Sequence, residues 1–129
     1  MQDYRKLIAW QRAHALTLAV HSTFAARRRI GIPGLSAQIL RSAAAVAANI
    51  AEGCGRRTSA EFSRFLDIAL GSVIELDYHL MLARDLGGVS PCRYESLAQS
   101  ARDVRQLLIA LIRRIRPVEG ERSGSTQGR

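Results

Sequence analysis

The stretch that decides the fold is Asn49-Ile50-Ala51-Glu52-Gly53-Cys54-Gly55-Arg56-Arg57-Thr58-Ser59-Ala60-Glu61-Phe62. Gly53 has no Cβ atom, so it can adopt the left-handed conformation that ends many helices, and we predict a helix end there. Thr58, followed three residues later by Glu61, forms a capping-box pattern that predicts a helix beginning at Ser59. The two arginines between these signals lie in a basic turn.

Outward from this turn, apolar side chains recur every three or four residues in four segments, which is the spacing of amphipathic helices. Ser36 and Ser90 are the predicted N-caps of the second and fourth helices, and glycines or prolines follow the first three segments. The predicted helices span Tyr4 to Arg29, Ser36 to Glu52, Ser59 to Leu86, and Pro91 to the residue before Pro117.

The third predicted helix differs from the others because it has apolar residues on more than one face. Phe65 and Ile68 widen its main stripe, which indicates more than one neighbouring helix and spare apolar surface for association. Gly71 lies inside this helix at a cost of ~1 kcal/mol relative to alanine. We expect the close approach of another helix to explain it.

Four amphipathic helices with short connections predict an all-α fold, an up-down-up-down antiparallel four-helix bundle. We assign residues 1–117 to the bundle and residues 118–129 to a flexible C-terminal tail, since the tail is rich in Gly, Ser and charge.

The charge of the chain favours a polyanionic partner. The sequence has nineteen basic and eleven acidic residues, which gives a net charge of +8, and Lys6 is the only lysine. Arginine can bind phosphate with two parallel hydrogen bonds, so we expect contact with RNA or DNA. The alternative is that a GC-rich genome simply prefers arginine codons.

Several classes of protein are disfavoured by what the sequence contains. Cys54 and Cys92 form no disulfide framework or CxxC pair, and the N-terminus does not resemble a signal peptide. No apolar run approaches the ~20 residues that span a bilayer. His14, His21 and His79 have no third ligand at metal spacing. We therefore expect a cytoplasmic protein with free thiols, no cofactor, no metal, no membrane contact and no enzymatic activity.

Four motifs in order resemble one bacterial protein family. They are Leu7-Ile8-Ala9-Trp10-Gln11-Arg12-Ala13, Gln38-Ile39-Leu40-Arg41, Asn49-Ile50-Ala51-Glu52-Gly53, and Phe65-Leu66-Asp67-Ile68-Ala69-Leu70-Gly71-Ser72 with Glu75-Leu76. Together they are similar to the four-helix-bundle proteins encoded by intervening sequences in bacterial 23S rRNA genes. That family is related to the accessory variability proteins of diversity-generating retroelements. The similarity covers residues 4–115.

The resemblance implies a homopentameric barrel of antiparallel bundles with a basic surface and no catalytic activity. It also implies RNA or DNA binding and, in the retroelement relatives, partnership with a reverse transcriptase. Two departures concern the second helix. The family usually has two basic residues where this chain has Leu40-Arg41, and it has a kinking proline where this chain has Ala47, so we expect a straighter helix here.

The candidate nucleic-acid contacts follow from the bundle topology. The ends of helices two and four should lie at one pole with the starts of helices one and three, whereas 27–29 should lie at the opposite pole. Arg41 on the second helix is one candidate contact, and the expected cluster at the pole comprises Arg5, Lys6, Arg56, Arg57, Arg113, Arg114 and Arg116. Arg56 and Arg57 are the favoured phosphate contacts, because a helix N-terminus beside them offers N–H groups to an anion. The alternative is a solvated turn.

Other motif residues are assigned structural roles. Asn49 and Glu52 lie three residues apart and should bond to backbone or to an arginine, and Glu52 could instead orient Arg41 or Arg56 for phosphate. Trp10 is predicted to anchor the core or an interface rather than to stack on a base. The motif residues given structural roles are Gln38, Asn49, Glu52, Gly53 and Gly71.

Two functions remain open on the sequence alone. The first is a non-enzymatic oligomer that binds RNA or DNA as an adaptor or accessory protein. The second is a protein-interaction scaffold whose charge serves solubility, or an accessory partner of a reverse transcriptase.

Overall fold

Helix caps set most of the element boundaries. The computed structural model describes residues 2–26 and 33–116, which form four α-helices, one 3-10 turn and no strand. The elements are η1 Tyr4–Lys6, α1 Ile8–Phe24, α2 Leu35–Cys54, α3 Ser59–Asp85 and α4 Pro91–Ile115.

Two of the predicted N-caps are confirmed. The Thr58 hydroxyl accepts the N–H of Glu61 at 3.1 Å, and the Ser90 hydroxyl accepts the N–H of Arg93 at 3.1 Å. Each bond satisfies one of the N–H groups that a helix start leaves without an intrahelical partner. The predicted starts of α3 at Ser59 and of α4 at Pro91 are therefore correct.

The N-cap predicted for α2 is wrong. Gly34 is the N-cap residue, with φ of +82°, and Ser36 lies buried inside the first turn. A left-handed backbone is strained for a residue with a Cβ atom, so glycine suits this entry into the helix.

The first helix begins later than predicted. Leu7 has an extended backbone, with φ −77° and ψ 128°, and it separates η1 from α1. The side chain of Asp3 caps η1 by accepting the N–H of Arg5 at 3.0 Å, and this hydrogen bond lowers the pKa of the Asp3 carboxyl.

The helix end predicted at Gly53 is also wrong. The helix continues through Gly53 to Cys54, and Gly55 closes it by donating its N–H to the carbonyl of Glu52 at 3.2 Å. A Cβ atom on Gly53 would lie 2.9 Å from Phe62 Cδ1 and 3.0 Å from Phe65 Cβ. Gly53 therefore allows α2 and α3 to come close together and does not terminate α2.

The four helices enclose one core. Consecutive helices pack together and α4 packs against α1, while the diagonal pairs α1–α3 and α2–α4 have no Cα atoms within 8 Å of each other in the described ranges. α2 is unbroken and packs most extensively against α3. Large side chains from all four helices fill the core, including Val20, Phe24, Ile39, Ile50, Leu66, Leu76, Leu80, Leu97 and Leu108.

Gly71 does not have the neighbour that the sequence suggested. Its position is exposed, and an added Cβ atom would meet nothing within 4 Å. No described part of the chain packs against this position, so the expectation of close packing at Gly71 is wrong within one molecule.

Three expectations fall outside the described residues: the pole formed by 27–29, the tail 118–129, and the boundary at Pro117. None of the described helices is long and apolar enough to cross a membrane.

Candidate nucleic-acid interface

Contacts bring η1, the α2–α3 turn and the end of α4 to the same end of the molecule. The N–H of Gln2, beside η1, donates to the carbonyl of Cys54 at 3.4 Å. The guanidinium of Arg116, just after α4, reaches Ser63 and Asp67 near the start of α3. We call this region the basic end, defined by Arg5, Lys6, Arg56, Arg57, Arg64, Arg113, Arg114 and Arg116.

Arg56 is held in place from two sides. Its guanidinium lies 3.7 Å from the carboxylate of Glu52, one helical turn earlier, and 4.6 Å from the ring centre of Phe65. The predicted pairing of Glu52 with Arg56 is therefore confirmed. Both partners of the ion pair are about half exposed, so the pair orients Arg56 more than it stabilises the fold.

Arg57 is exposed and has no carboxylate partner among the described residues. It lines a shallow groove with Gln2, Gly53, Thr58 and Phe62. The first two N–H groups of α3, on Ser59 and Ala60, precede the first intrahelical hydrogen bond, which Phe62 donates to Thr58. Positive charge and helix N–H groups thus lie at the same place.

Arg64 is a basic residue that the sequence reasoning missed. Its guanidinium lies 5.3 Å from the ring centre of Phe65, so Arg56 and Arg64 both pack on this aromatic side chain. The two arginines line a groove with Ala60 and Glu61. In the sequence, the position of Arg64 two helical turns after Arg57 indicates that both lie on one side of the helix start. The sequence does not show that Arg64 lies beside Arg56, because that depends on how the Phe65 ring packs.

Arg116 is engaged in structural contacts. Its Nε donates to the Ser63 hydroxyl at 2.6 Å, and its guanidinium also pairs with Asp67. Arg113 and Arg114, in the last turn of α4, are exposed and have no partner in the described part of the chain. Of the three arginines predicted at the end of α4, Arg113 and Arg114 are the two whose guanidinium groups are not engaged by a carboxylate of the described chain. They are therefore available to an external ligand.

Arg41 does not belong to the basic end. It lies eleven residues before Glu52 on α2, which corresponds to roughly 16 Å along the helix axis. Its guanidinium lies 3.9 Å from the carboxylate of Glu75 on α3, and its side chain is largely exposed. Glu52 therefore orients Arg56 and not Arg41.

The other motif residues are structural or exposed. The side-chain amide of Asn49 donates to the carbonyl of Ala45 at 2.8 Å, as expected for a helix-stabilising role. Gln38 is exposed in the first turn of α2. Trp10 is half-buried against the core and stacks on His14, with ring centres 5.0 Å apart, so its predicted role as a packing anchor is confirmed.

The two cysteines are free thiols in different environments. Cys92 is exposed, whereas Cys54 is buried beneath the α2–α3 turn, and burial raises the pKa of the Cys54 thiol. No group of three or more His, Cys, Asp or Glu residues in the described ranges is arranged to hold a metal ion.

Comparison with known proteins agrees with this architecture. The sequence model of the family described as 23S rRNA-intervening sequence protein matches residues 5–110. The chain belongs to this family. Because the match runs from η1 into α4, the 23S rRNA-intervening sequence family accounts for all four helices.

A solved structure shares the fold. It is the crystal structure of a protein of unknown function from the S23 ribosomal protein family of Bacteroides thetaiotaomicron. The two proteins are 25% identical with a TM-score of 0.75, and the alignment covers 81% of this chain and 98% of the other. Comparison with curated proteins finds no match.

Proposed function

We propose that this protein is a non-enzymatic adaptor that binds RNA or DNA through the phosphate backbone at its basic end. The observation that carries the proposal is the α2–α3 turn, where Arg56 and Arg57 lie beside the N-terminus of α3. Backbone N–H groups and the helix dipole favour an anion at this position.

The arrangement suits phosphate better than it suits a protein carboxylate. Arg56 and Arg64 line one groove, and Arg57, Arg113 and Arg114 add exposed charge at the same end. A run of phosphates can bind several separated guanidinium groups at once, whereas a single carboxylate binds a single guanidinium group. The net charge of +8 adds long-range attraction for a polyanion.

The test is the salt dependence of binding to a structured RNA, measured by filter binding. The Arg56→Ala, Arg57→Ala double variant should bind more weakly and should lower the slope of log affinity against log salt by about 1.8, as expected when two phosphate contacts are lost. An unchanged slope would exclude a phosphate contact at this turn.

A matched control removes the same charge elsewhere. Arg41 lies on the side of the bundle and Arg102 on the exposed surface of α4. The Arg41→Ala, Arg102→Ala variant should keep the wild-type slope. If its slope falls as much as that of the Arg56→Ala, Arg57→Ala variant, binding depends on net charge and not on the basic end.

We also propose the finer architecture that accompanies this function. Arg93 at the start of α4 hydrogen-bonds Thr23 at the end of α1, and Arg116 at the other end of α4 reaches the start of α3. Both contacts support the up-down-up-down antiparallel arrangement. A cytoplasmic location is part of the proposal, in keeping with two free thiols.

The second candidate is a self-associating scaffold, a homopentamer by resemblance to the family, with or without a reverse transcriptase as partner. The observation that favours self-association is the exposed apolar face of α3, which carries Ile68, Ile74, Tyr78 and Met81. Native mass spectrometry of the purified protein measures the number of chains. Failure of the RNA test together with a defined oligomer would favour the scaffold.

A further inference from the structure

Three aromatic rings form a cluster beside the basic end, where α1 begins. The ring of Tyr4, in η1, meets the ring of Trp10 edge to face, with ring centres 5.0 Å apart and ring planes at 63°. The imidazole of His14, one helical turn further along α1, lies parallel to the Trp10 ring, with ring centres 5.0 Å apart and planes at 7°. Trp10 therefore joins the three rings, and it is itself half-buried against the core.

His14 is the exposed ring of this cluster, whereas Tyr4 and Trp10 are half-buried. Within residues 2–26 and 33–116, no hydrogen bond, ion pair or second ring contact engages the His14 side chain. One face of its imidazole lies on Trp10, so the opposite face is the one that a ligand can reach.

The cluster adjoins the phosphate contacts proposed for the basic end. The N–H of Gln2 donates to the carbonyl of Cys54, which places η1 beside the α2–α3 turn. The guanidinium of Arg5 lies over the Tyr4 ring, 5.6 Å from its centre. His14 lies six residues after the start of α1, roughly 9 Å along the helix axis. A nucleic acid bound at the basic end can therefore bring a base to His14.

We infer that the open face of the His14 imidazole stacks on an unpaired base of the nucleic acid whose phosphates bind the basic end. This inference rests on the function proposed above and specifies its ligand, a single-stranded segment of RNA or DNA. Bases inside a duplex already stack on their neighbours, so only an unpaired base can present its face to an aromatic side chain.

The Trp10 ring prepares His14 for this contact. A freely rotating imidazole would lose side-chain entropy when a base stacks on it, and that loss would reduce the affinity. Parallel stacking on Trp10 already holds the imidazole in one orientation. The base, the imidazole and the indole then form one continuous stack, in which each ring packs on the flat face of the next.

Stacking and phosphate contacts differ in their dependence on salt. A phosphate contact releases counterions and so contributes to the slope of log affinity against log salt, whereas stacking uses the π-face of the base and releases none. Loss of the His14 ring should therefore lower the affinity and leave the slope unchanged. Loss of Arg56 and Arg57 should lower both.

The experiment compares nucleic acids that differ in their bases but carry similar phosphates. The ligands for filter binding are adenine-rich single strands of RNA and of DNA, an abasic DNA strand of the same length, and a long duplex. The DNA single strand should bind about tenfold more tightly than the abasic strand, with a similar salt slope, because stacking of one base is removed.

His14→Ala should lower the affinity for the DNA single strand about tenfold, to that of the abasic strand, and should leave duplex binding unchanged. The RNA and DNA single strands are compared in this variant, and whichever loses affinity can supply the stacked base. His14→Phe keeps a flat ring without a charge and should bind as the wild type does.

His21→Ala is the matched control, because His21 is also exposed on α1 and stacks on no ring of the described residues. It should bind every ligand as the wild type does. Circular dichroism should show that all three histidine variants are folded.

Proton NMR reports the stack directly. The chain has three histidines, so comparison with His14→Phe assigns the imidazole protons of His14. The ring current of a stacked base should shift these protons upfield when the single strand binds, and the abasic strand should leave them in place.

The outcomes separate this inference from the function proposed for the basic end. If no strand binds the wild type, both are overturned. If the abasic strand binds as tightly as the DNA single strand, or if His14→Ala binds both single strands as the wild type does, only the stacking contact is overturned. A loss in His14→Phe as large as in His14→Ala would also overturn it, because charge and not a flat ring would then carry the contact.

Discussion

At the scale of single residues, Gly53 controls how closely α2 and α3 approach. The substitution Gly53→Ala should reduce the free energy of unfolding by about 1 kcal/mol, because overpacking costs about 1–3 kcal/mol and exceeds the helix-propensity gain of ~1 kcal/mol. The reason is the position of Phe65 Cβ, 3.0 Å from the added methyl group, which cannot move without moving α3. Urea denaturation gives the difference directly.

The matched control is Gly71→Ala, where the added methyl group meets nothing within 4 Å. Measured together with Tyr78→Glu, which places a charge on the exposed apolar face of α3 and should keep the chain monomeric, it should increase the free energy of unfolding by up to ~1 kcal/mol. Equal effects of the two substitutions would show that close packing is not the reason for glycine at position 53.

These two glycines also show where sequence reasoning fails at this scale. The sequence suggested a helix end at Gly53 and a close approach at Gly71, and the structure has the close approach at Gly53 and open space at Gly71. Whether a glycine faces a neighbour depends on tertiary packing, which local patterns do not contain. Caps such as Thr58 and Ser90 were predictable because their hydrogen bonds reach only three residues along the chain.

At the scale of elements, Arg116 joins the end of α4 to the start of α3. Arg116→Ala should reduce the free energy of unfolding by about 1–2 kcal/mol, because the Ser63 hydroxyl would lose its partner while only 4% of Ser63 is exposed. Chemical denaturation measures this loss, and the salt slope of RNA binding should change less than in the Arg57→Ala variant.

Arg114→Ala is the control for this element, since Arg114 lies in the same last turn of α4 and has no partner in the described residues. Its stability should match the wild type within about 0.5 kcal/mol. A loss of stability as large as that of Arg116→Ala would mean that positive charge at the helix end, and not the contact with α3, supports α4.

Element boundaries were predictable where a cap marked them and less so elsewhere. α3 and α4 begin where the sequence placed them, because Thr58 and Ser90 supply strong local signals. α1 begins at Ile8 because Asp3 caps the separate turn η1 and the backbone of Leu7 is extended. The sequence has no glycine or proline at this point that would predict the break. The grouping of the basic end followed from helix order, whereas the Arg56–Phe65–Arg64 arrangement depended on side-chain packing.

At the scale of the whole molecule, charge and apolar surface are distributed to different places. Exposed arginines gather where η1, the α2–α3 turn and α4 meet, and exposed apolar side chains lie on the outer faces of α1 and α3. Ile8 adjoins η1, but Leu18, Ile74 and Tyr78 lie further along their helices, so an assembly built through these three side chains leaves the α2–α3 turn uncovered. Several copies would then present several phosphate sites to one nucleic acid, which raises avidity without any new contact.

Self-association of this kind predicts that thermal stability depends on protein concentration. Unfolding separates the chains, so the midpoint temperature of the wild type should rise by roughly 4 °C for each tenfold increase in concentration. Tyr78→Glu, which places a charge on the exposed apolar face of α3, should be monomeric and should show no such dependence, because a monomer gains nothing from mass action. Differential scanning calorimetry over a hundredfold range measures both. If the midpoint temperature of the wild type is independent of concentration, the apolar faces of α1 and α3 are not buried by a second copy.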